Sequence, residues 1–363
     1  MISLASGYGN FVPPPAAVAR ALASMQSGTL PMSPTEGLPA LREALAACYS
    51  KSLQTITPEQ IVVTAGGKAA LFALLKAVLR PGDEVLLPTP NWFGFQKLVE
   101  LAGGVVRPLP LAAHDNYTLH PAALQAAITP RTRLLLLSNP NNPSGRVYHR
   151  AELDAVLTVT RQHPSLFVLS DEIYNLVTFG QEPVPSLLDW DDPHGQHLVV
   201  NGFSKSLALI GWGVGYLVAP PALAKICTAW QLATTDAVPV PNQLAALIAT
   251  EAALSIADGL LTQLAPTRDI LLESLATLPH VRCVRPEATY YAFPDFTAYL
   301  DPSLPPDVAS AALVARFQAA GVAVVDGATC GAPGFVRLSC AVPAPDLREA
   351  LGRLRSVLAG AQR

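Results

Sequence analysis

Apolar and polar positions follow a regular alternation along most of the chain. From about residue 60, apolar runs of four to six residues are separated by longer stretches with helical composition, such as Lys68 to Leu79. Short buried runs between helices are typical of β-α-β units, which build a mostly parallel sheet. The predicted strands are residues 61–65, 84–87, 105–109, 134–138, 166–170, 198–201 and 214–219. The pattern therefore predicts an α/β fold with a mostly parallel seven-stranded sheet.

The pattern changes after about residue 255, where a second, smaller α/β lobe is predicted. Its predicted elements are a helix at 257–278, strands near 289–294, 322–325 and 335–340, and a closing helix at 345–359. We assign residues 44–255 to a large domain and residues 1–43 with 256–363 to a small domain, because 363 residues usually exceed a single core. A cleft between two such lobes is a favoured place for a small ligand.

Four of the predicted strands are followed directly by polar or glycine-rich clusters. In open α/β sheets, ligands bind just beyond the carboxyl ends of the strands. Four such ends with complementary chemistry therefore predict one site. The clusters are Gly66-Gly67-Lys68, Asn139 to Gly145, Asp171 to Tyr174, and Asn201 to Lys205.

A lysine and an aspartate carry the strongest chemical signal. Lys205 lies in a tight turn beyond a strand, where its amine can form a Schiff base with a carbonyl, although a lone lysine is more often a solvated surface residue. Asp171 ends a buried apolar run, so its carboxylate needs a cation, such as the protonated ring nitrogen of pyridoxal phosphate, or it caps the next helix. Tyr174, three positions on, is within reach of the same ring or is simply a helix-facing aromatic.

Two further clusters suit a phosphorylated ring, and each also has an ordinary structural explanation. Asn142 lies in a loop stiffened by prolines, which aims one amide side chain, as turn asparagines also do. Gly66, Gly67 and Lys68 open a helix whose free N–H groups and dipole suit a phosphate. Glycine pairs equally mark plain turns.

Two large side chains complete the candidate set. Trp92 can stack on a flat ring or fill a core. Arg337 lies inside an apolar strand and needs an anion, which is either a substrate carboxylate or an internal acid. Tyr8 and Phe11 lie near the expected cleft, where they would contact a substrate side chain.

Composition narrows the choice of partners. The net charge is only -3 and charged residues make up 14%, so no basic face for nucleic acid is indicated. The five cysteines lack C-x-x-C spacing, and the H-x-x-H pair of His194 and His197 has no third ligand, so no metal site is predicted. No signal peptide or apolar run of membrane-spanning length is visible. We therefore expect a cytoplasmic protein without a membrane or nucleic-acid partner.

These residues, in this order, resemble the class I and II aminotransferases of pyridoxal-phosphate fold type I, especially the bacterial aspartate-aminotransferase-like branch. The likeness runs over nearly the whole chain and also includes Pro34 to Arg42, Gly211-Trp212 and Val336 to Ser339. It implies an enzyme that uses pyridoxal 5′-phosphate to move an amino group between an L-amino acid and a 2-oxo acid by a ping-pong mechanism. It also implies a homodimer.

The resemblance implies a role for each candidate residue. Lys205 carries the cofactor as a Schiff base and then acts as a base, Asp171 pairs with the pyridine nitrogen, and Trp92 stacks on the ring. Tyr174 and Asn142 bond the ring hydroxyl. The remaining implied contacts are Gly66, Gly67, Lys68 and Ser204 for the cofactor phosphate, and Gly7, Asn142 and Arg337 for the substrate.

Three positions depart from the family pattern, all on the phosphate side. Gly213 stands where relatives carry an arginine that clamps the phosphate, Met32 where many carry a tyrosine that reaches the partner's phosphate, and Gly202 where serine is common. Each lost hydrogen bond to a charged group is worth about 1.5 to 3 kcal/mol. Loss of the arginine alone therefore predicts cofactor binding that is weaker by about ten- to a hundredfold. Lys68 or Arg146 is the candidate replacement.

Other functions are weighed against this one. A lyase or cyclase would keep the fold and the cofactor but catalyse a different reaction. A non-catalytic relative would keep the fold but would have lost part of its phosphate-binding site. A nicotinamide enzyme is disfavoured, because Gly211 to Gly215 lacks the dinucleotide-binding spacing and precedes a strand rather than a helix.

Overall fold

The computed structural model describes residues 1–9, 11–49 and 55–360. Within them the chain forms twelve strands: β1 Ile2–Ser3, β2 Ile61–Thr64, β3 Glu84–Thr89, β4 Val105–Pro110, β5 Thr132–Ser138, β6 Phe167–Asp171, β7 His197–Gly202, β8 Gly215–Val218, β9 Tyr291–Ala292, β10 Val322–Ala323, β11 Val325–Asp326 and β12 Val336–Ser339. The predicted assignment of strands between residues 61 and 219 is confirmed.

The same residues form eleven α-helices: α1 Pro15–Gln26, α2 Pro39–Cys48, α3 Gly67–Val78, α4 Gly94–Ala102, α5 Pro121–Ala127, α6 Arg150–Thr160, α7 Pro221–Thr234, α8 Val240–Glu251, α9 Ala253–Ala276, α10 Pro306–Ala319 and α11 Ala344–Ala359. Among the described residues, no single helix is long and apolar enough to cross a membrane. Helices α8 and α9 reach the necessary length and apolar character only when they are taken together, and the chain bends by 81° between them.

A seven-stranded sheet forms the centre of the large lobe, in the order β2-β8-β7-β6-β5-β3-β4. All neighbouring pairs are parallel except those that β8 makes with β2 and β7. Successive residues of a strand point to opposite faces, so the wholly apolar runs bury side chains on both sides. Val199 packs into the core cluster on one face and Val200 into the cluster on the other. The predicted α/β class and mostly parallel sheet are confirmed.

The smaller lobe has two short sheets, one pairing β1 with β10 and the other ordered β11-β12-β9. Sequence analysis predicted one strand near 322–325, and this prediction is wrong. Val322 pairs with Ile2 in one sheet, whereas Val325 pairs with Arg337 in the other. The chain therefore changes partners at Val324 and splits the apolar run into two strands.

The opening segment is divided between the lobes, whereas the sequence analysis assigned all of it to the smaller one. Strand β1 joins the smaller lobe, but α1 packs along α8 and its buried Ala17 and Ala21 belong to the core of the large lobe. Small side chains at this i, i+4 spacing lie on one face of α1, and Ala245 and Ala249 of α8 are buried in the same core cluster. The amphipathic pattern of α1 predicted a helix but could not identify its partner.

Candidate active site

A cavity of about 610 Å³ opens at the carboxyl edge of the large sheet, next to the smaller lobe. Every site residue selected from the sequence lines it: Gly7, Gly66, Gly67, Lys68, Trp92, Asn142, Asp171, Tyr174, Ser204, Lys205 and Arg337. Residues that are up to 330 positions apart in the chain therefore line the same cavity. Phe11 is different, because its ring packs on Tyr290 with centroids 5.6 Å apart in the core of the smaller lobe.

Sheet topology delivers these residues to a common edge. Asp171 is the last residue of β6 and lies beside Ser138, the last residue of β5. Lys205 follows the end of β7 at Gly202. Because β8 runs antiparallel between β2 and β7, strand β2 points in the same direction as β7. The turn at Gly66 therefore emerges at the same edge as the lysine.

Lys205 lies in an enclosed and positively charged environment. Its Nζ donates a hydrogen bond to the carbonyl oxygen of Gly7 at 3.4 Å and lies over the ring of Tyr8, 3.7 Å from the centroid. Burial, and then the positive charges of Arg337 and Lys68, lower the pKa of the amine to about 8. A minor fraction of the amine, about one in ten, is therefore neutral at pH 7.

Asp171 is a buried carboxylate, with only 8% of its surface exposed. Its Oδ1 accepts a hydrogen bond from the backbone N–H of Ile173 at 3.3 Å. Desolvation raises the pKa of Asp171 to about 7, although that hydrogen bond and the nearby Lys205 pull it down. A carboxylate in this state is stabilised by any cation that enters the cavity beside it.

Arg337 is buried in β12 and aims its guanidinium at the cavity. One Nη donates to Asn142 Oδ1 at 3.0 Å and the other to the carbonyl oxygen of Ala5 at 2.7 Å, while the buried Nε has no partner among the described residues. The alternative of a salt bridge to an internal acid is not found in the described part of the chain. The arginine is thus a buried cation that lines the cavity and has no acidic partner among the described residues.

Tyr291 is a site residue that the sequence reasoning missed. Its ring lies against the guanidinium of Arg337, with the centroid 4.2 Å from Cζ, and its hydroxyl is 2.9 Å from that of Tyr174. A Cβ atom on Gly7 would fall 1.8 Å from the Tyr291 hydroxyl oxygen, so only glycine fits there. Tyr291 was hidden in a predicted strand of the smaller lobe, where an aromatic residue signals core rather than function.

The glycine-rich side of the cavity is built from backbone. Gly66 adopts a φ of +85°, which favours glycine, and α3 begins at Gly67 with its first N–H groups free of helical partners. A Cβ on Gly215 would lie 2.5 Å from the Gly67 nitrogen, so this strand residue lets β8 pass directly beneath the turn. Lys68 is the cation on this side, with Nζ 5.5 Å from the centroid of the Trp92 ring.

The departures noted in the sequence lie outside the cavity lining. Gly213 has a φ of +63°, and a Cβ placed there would meet no atom within 4 Å. Met32 is 85% exposed. Arg146, one of the two candidate replacements, is committed to an ion pair with Glu152 and lies over the Tyr148 ring. Of the two replacements considered, only Lys68 lines the cavity.

Comparison with known proteins gives a consistent result. The family model "Aminotransferase class I and II" matches residues 1–354. The chain is 34% identical over 363 residues to an aspartate/prephenate aminotransferase of Thermus thermophilus, covering 99% of this chain and 91% of that protein. It is 31% identical over 358 residues to an aspartate aminotransferase of Geobacillus stearothermophilus, covering 98% and 90%.

Solved structures show the same relationship. A Thermus thermophilus aspartate aminotransferase double mutant superposes with a TM-score of 0.90 at 33% identity, covering 98% of this chain and 91% of that one. The aspartate aminotransferase of Rhizobium meliloti superposes with a TM-score of 0.92 at 29% identity, covering 99% and 91%. Fold and sequence agree over nearly the full length, so the chain belongs to the class I and II aminotransferases.

Proposed function

We propose that the chain binds pyridoxal 5′-phosphate in this cavity and uses it to transfer amino groups between an L-amino acid and a 2-oxo acid. The observation that carries the proposal is the pair of Lys205 and Asp171, a buried amine and a buried carboxylate that line one cavity and influence each other's pKa. When bound, the cofactor supplies an electron-withdrawing ring that makes the Cα–H of an attached amino acid acidic.

The donor set fits this cofactor. Asp171 supplies a desolvated carboxylate for a protonated ring nitrogen, and Trp92 supplies a flat face for the ring. Asn142 uses its Oδ1 to accept from Arg337, so its Nδ2 group remains to donate to the ring oxygen together with the Tyr174 hydroxyl. The free N–H groups at the start of α3 suit the phosphate.

Lys205 would act as the proton carrier. With a pKa of about 8, about one amine in ten is neutral at pH 7, which is enough for a general base that is matched to its working pH. Its Nζ would accept the proton that leaves Cα of the substrate and would donate it again later in the transfer. The backbone of Lys205 is held for this task by the Tyr290 hydroxyl, which donates to the Lys205 carbonyl oxygen.

Arg337 would bind the substrate α-carboxylate. A planar guanidinium pairs with a carboxylate through two parallel hydrogen bonds, and each Nη of Arg337 carries a second N–H besides the one that bonds Asn142 or Ala5. Hydrogen bonds to Asn142 Oδ1 and to the Ala5 carbonyl oxygen hold the guanidinium, and the Tyr291 ring packs against it. Gly7 leaves room for the Tyr291 hydroxyl, which keeps that ring beside the guanidinium.

We propose L-aspartate as the amino donor, because the relatives above are named for it. After Lys205 and Arg337 have taken the roles described, Lys68 is the remaining cation among the described residues that line the cavity. Its ammonium group is therefore available to a side-chain carboxylate or to the cofactor phosphate. A comparison of Lys68→Gln with the native protein separates these uses. If Lys68 binds the side-chain carboxylate, the substitution raises the KM for aspartate. If Lys68 binds the phosphate, the substitution lowers the affinity for the cofactor.

The test is a transfer assay on purified protein loaded with the cofactor. Incubation with L-aspartate and 2-oxoglutarate should yield glutamate and oxaloacetate in equal amounts, and Lys205→Ala should abolish this transfer by removing the base. Borohydride treatment of the native protein should fix the cofactor on the peptide that contains Lys205. Full transfer by a correctly folded Lys205→Ala protein would contradict the proposal.

A second reaction class is favoured by one specific observation, the glycine at position 213 with open space around it. A loosely held phosphate suits divergence to a lyase or cyclase, and further decay would leave a protein without activity. Release of ammonia or of a cyclic product, without transfer to the oxo acid, would support a lyase or cyclase. Absence of the lysine-bound cofactor after borohydride would support a protein without activity.

Assembly and location complete the proposal. We infer a homodimer, because large apolar side chains of the opening segment, Leu22, Met25, Leu30 and Met32, are exposed on the single chain. Sedimentation equilibrium at micromolar concentration checks this. We place the protein in the cytoplasm, because its five cysteines are free and three of them are buried, as suits a reducing compartment.

A further inference from the structure

The amine of Lys205 rests on a seat formed by two consecutive residues of the opening segment. The Tyr8 ring lies beneath Nζ, with its centroid 3.7 Å away, and the carbonyl oxygen of Gly7 accepts a hydrogen bond from Nζ at 3.4 Å. A cation over an aromatic face is attracted by the negative face of the ring. The role assigned above to Lys205 explains neither contact, because bonding to the cofactor requires the amine to leave both.

Tyr8 is held in this place by the chain on both sides of it. Its backbone N–H donates to Ser6 Oγ at 3.1 Å, and Gly9 turns the chain with a φ of +42°. Upstream, Leu4 is bound to the smaller lobe through the backbone of Ala323 and Ser339. The ring is therefore carried by the smaller lobe, whereas the lysine is carried by the end of β7 in the large lobe.

We propose that the face of Tyr8 and the carbonyl of Gly7 form the resting position of the Lys205 ammonium whenever that amine is not bonded to the cofactor. Tyr8 is then a positioning residue that acts through Lys205. This inference rests on the proposed function, since it gives the displaced amine a defined place during turnover.

The surrounding charges explain why a seat is needed. Arg337 from β12 and Lys68 from α3 repel a protonated amine, whereas Asp171 at the end of β6 attracts it. The nearby hydroxyls of Tyr174 and Tyr291 stay neutral, because burial raises the pKa of both. Without the seat, the ammonium would move toward Asp171 and neutralise the carboxylate that the ring nitrogen requires. The seat keeps the amine close to the reacting atoms and leaves Asp171 free.

Tyr8, an aromatic residue of the opening segment, lies against the lysine at the edge of the cavity. Tyr8 is about half exposed, so its substitution does not disturb a core. Variants at this position are therefore suitable probes.

The test measures the pKa of the Lys205 amine in the full-length, cofactor-free protein. The rate of acetylation of Lys205 by trace acetic anhydride is followed against pH by peptide mass spectrometry, for the native protein, Tyr8→Phe and Tyr8→Leu. Phenylalanine keeps the ring face, so its amine should titrate with the native pKa. Leucine removes the face that favours the ammonium, so the pKa should fall by about 0.5 to 1.5 units. Val12→Ala, on the same exposed segment, is the matched control.

Two results would overturn the proposal. An unchanged or higher pKa in Tyr8→Leu would show that the ring face does not stabilise the ammonium. An equal fall in Tyr8→Phe and Tyr8→Leu would assign the effect to the hydroxyl. Thermal unfolding of each variant verifies that it is folded. The measurement needs neither cofactor nor substrate, so it fails independently of the transfer assay that tests the proposed function.

Discussion

The two ends of the cavity are built on opposite principles. The end around Lys205, Asp171 and Arg337 concentrates buried ionisable groups, whose pKa values are displaced by burial and by one another. The end around Gly66 and Gly67 is made of turn backbone and helix N–H groups, with Lys68 as its cation. One end thus offers ionisable side chains that can exchange protons, whereas the other offers mainly backbone donors that can hold an anion.

Removing the charge of Asp171 is the most severe test of this contrast. In Asp171→Asn the side chain keeps its shape but no longer holds a proton on the ring nitrogen, so we expect kcat to fall by about a hundred- to a thousandfold, the usual effect of losing one preorganised electrostatic group. Asp171→Glu, which keeps the charge, is the control. A fall in kcat of less than tenfold in Asp171→Asn would show that the ionisable groups at this end of the cavity do not drive the reaction.

The same substitution should change stability in the opposite direction. The pKa of Asp171 is raised in the folded, cofactor-free protein, so the native state binds more protons than the unfolded state between about pH 4 and pH 7. Its contribution to stability therefore declines as the pH rises through that window. Asp171→Asn should be about as stable as the native protein near pH 4 and more stable by roughly 2 to 4 kcal/mol at pH 7.

Urea unfolding of both cofactor-free proteins at several pH values measures this difference. A constant difference across the window would mean that Asp171 is not strained by burial. The predicted trend would show that the charged end of the cavity is maintained for function at the expense of stability.

Arg337 tests whether the charged end also provides substrate affinity. Arg337→Leu removes a bidentate partner of the α-carboxylate, and each charge-assisted hydrogen bond is worth about 1.5 to 3 kcal/mol. Two such bonds are worth about 3 to 6 kcal/mol together, so we expect the KM for the amino acid to rise by about a hundredfold or more, with a smaller change in cofactor affinity. Steady-state kinetics and a cofactor titration on the same preparation distinguish the two. Equal losses in both would indicate a general collapse around Asn142.

Local sequence pattern was sufficient for the large lobe and for the strand-end residues. The apolar runs of β5, β6 and β7 are buried on both faces, so their length and ends follow from composition alone, and Asp171 and Lys205 follow from those ends. Contacts made between lobes were not predictable in the same way. Tyr291 meets Tyr174 from 117 positions away, and nothing near Tyr8 in the sequence indicates that its ring faces Lys205.

The same limit explains the misplaced opening segment. The buried face of α1 consists of alanines, and small apolar residues fit against either lobe. Its true partner is set by the alanines of α8, more than 220 positions further along the chain. The sequence of α1 alone is enough to predict that it is helical. Its packing partner depends on the surfaces of both helices and cannot be predicted from α1 alone.

The smallest predicted effect is a gain in cofactor affinity at the end of the cavity around Gly66 and Gly67, which we call the phosphate end. Gly213→Arg introduces the side chain that the family resemblance implies at this position, and the space around a Cβ there is open. New charge-assisted hydrogen bonds to the phosphate should outweigh the roughly 1 to 2 kcal/mol needed to hold a non-glycine residue at a positive φ. We expect about tenfold tighter binding of pyridoxal 5′-phosphate, measured by absorbance titration of the cofactor-free protein.

Gly211→Arg is the matched control for that gain, because Gly211 also has a positive φ of +83° and open space around it. It carries the same kind of backbone strain and adds the same charge two residues away. Tighter binding in Gly213→Arg alone would locate the weakness of the phosphate end at one missing guanidinium. Equal gains in both variants would show that only net charge matters. No gain in either would mean that Lys68 already neutralises the phosphate, and the contrast between the two ends would then be one of geometry rather than of charge.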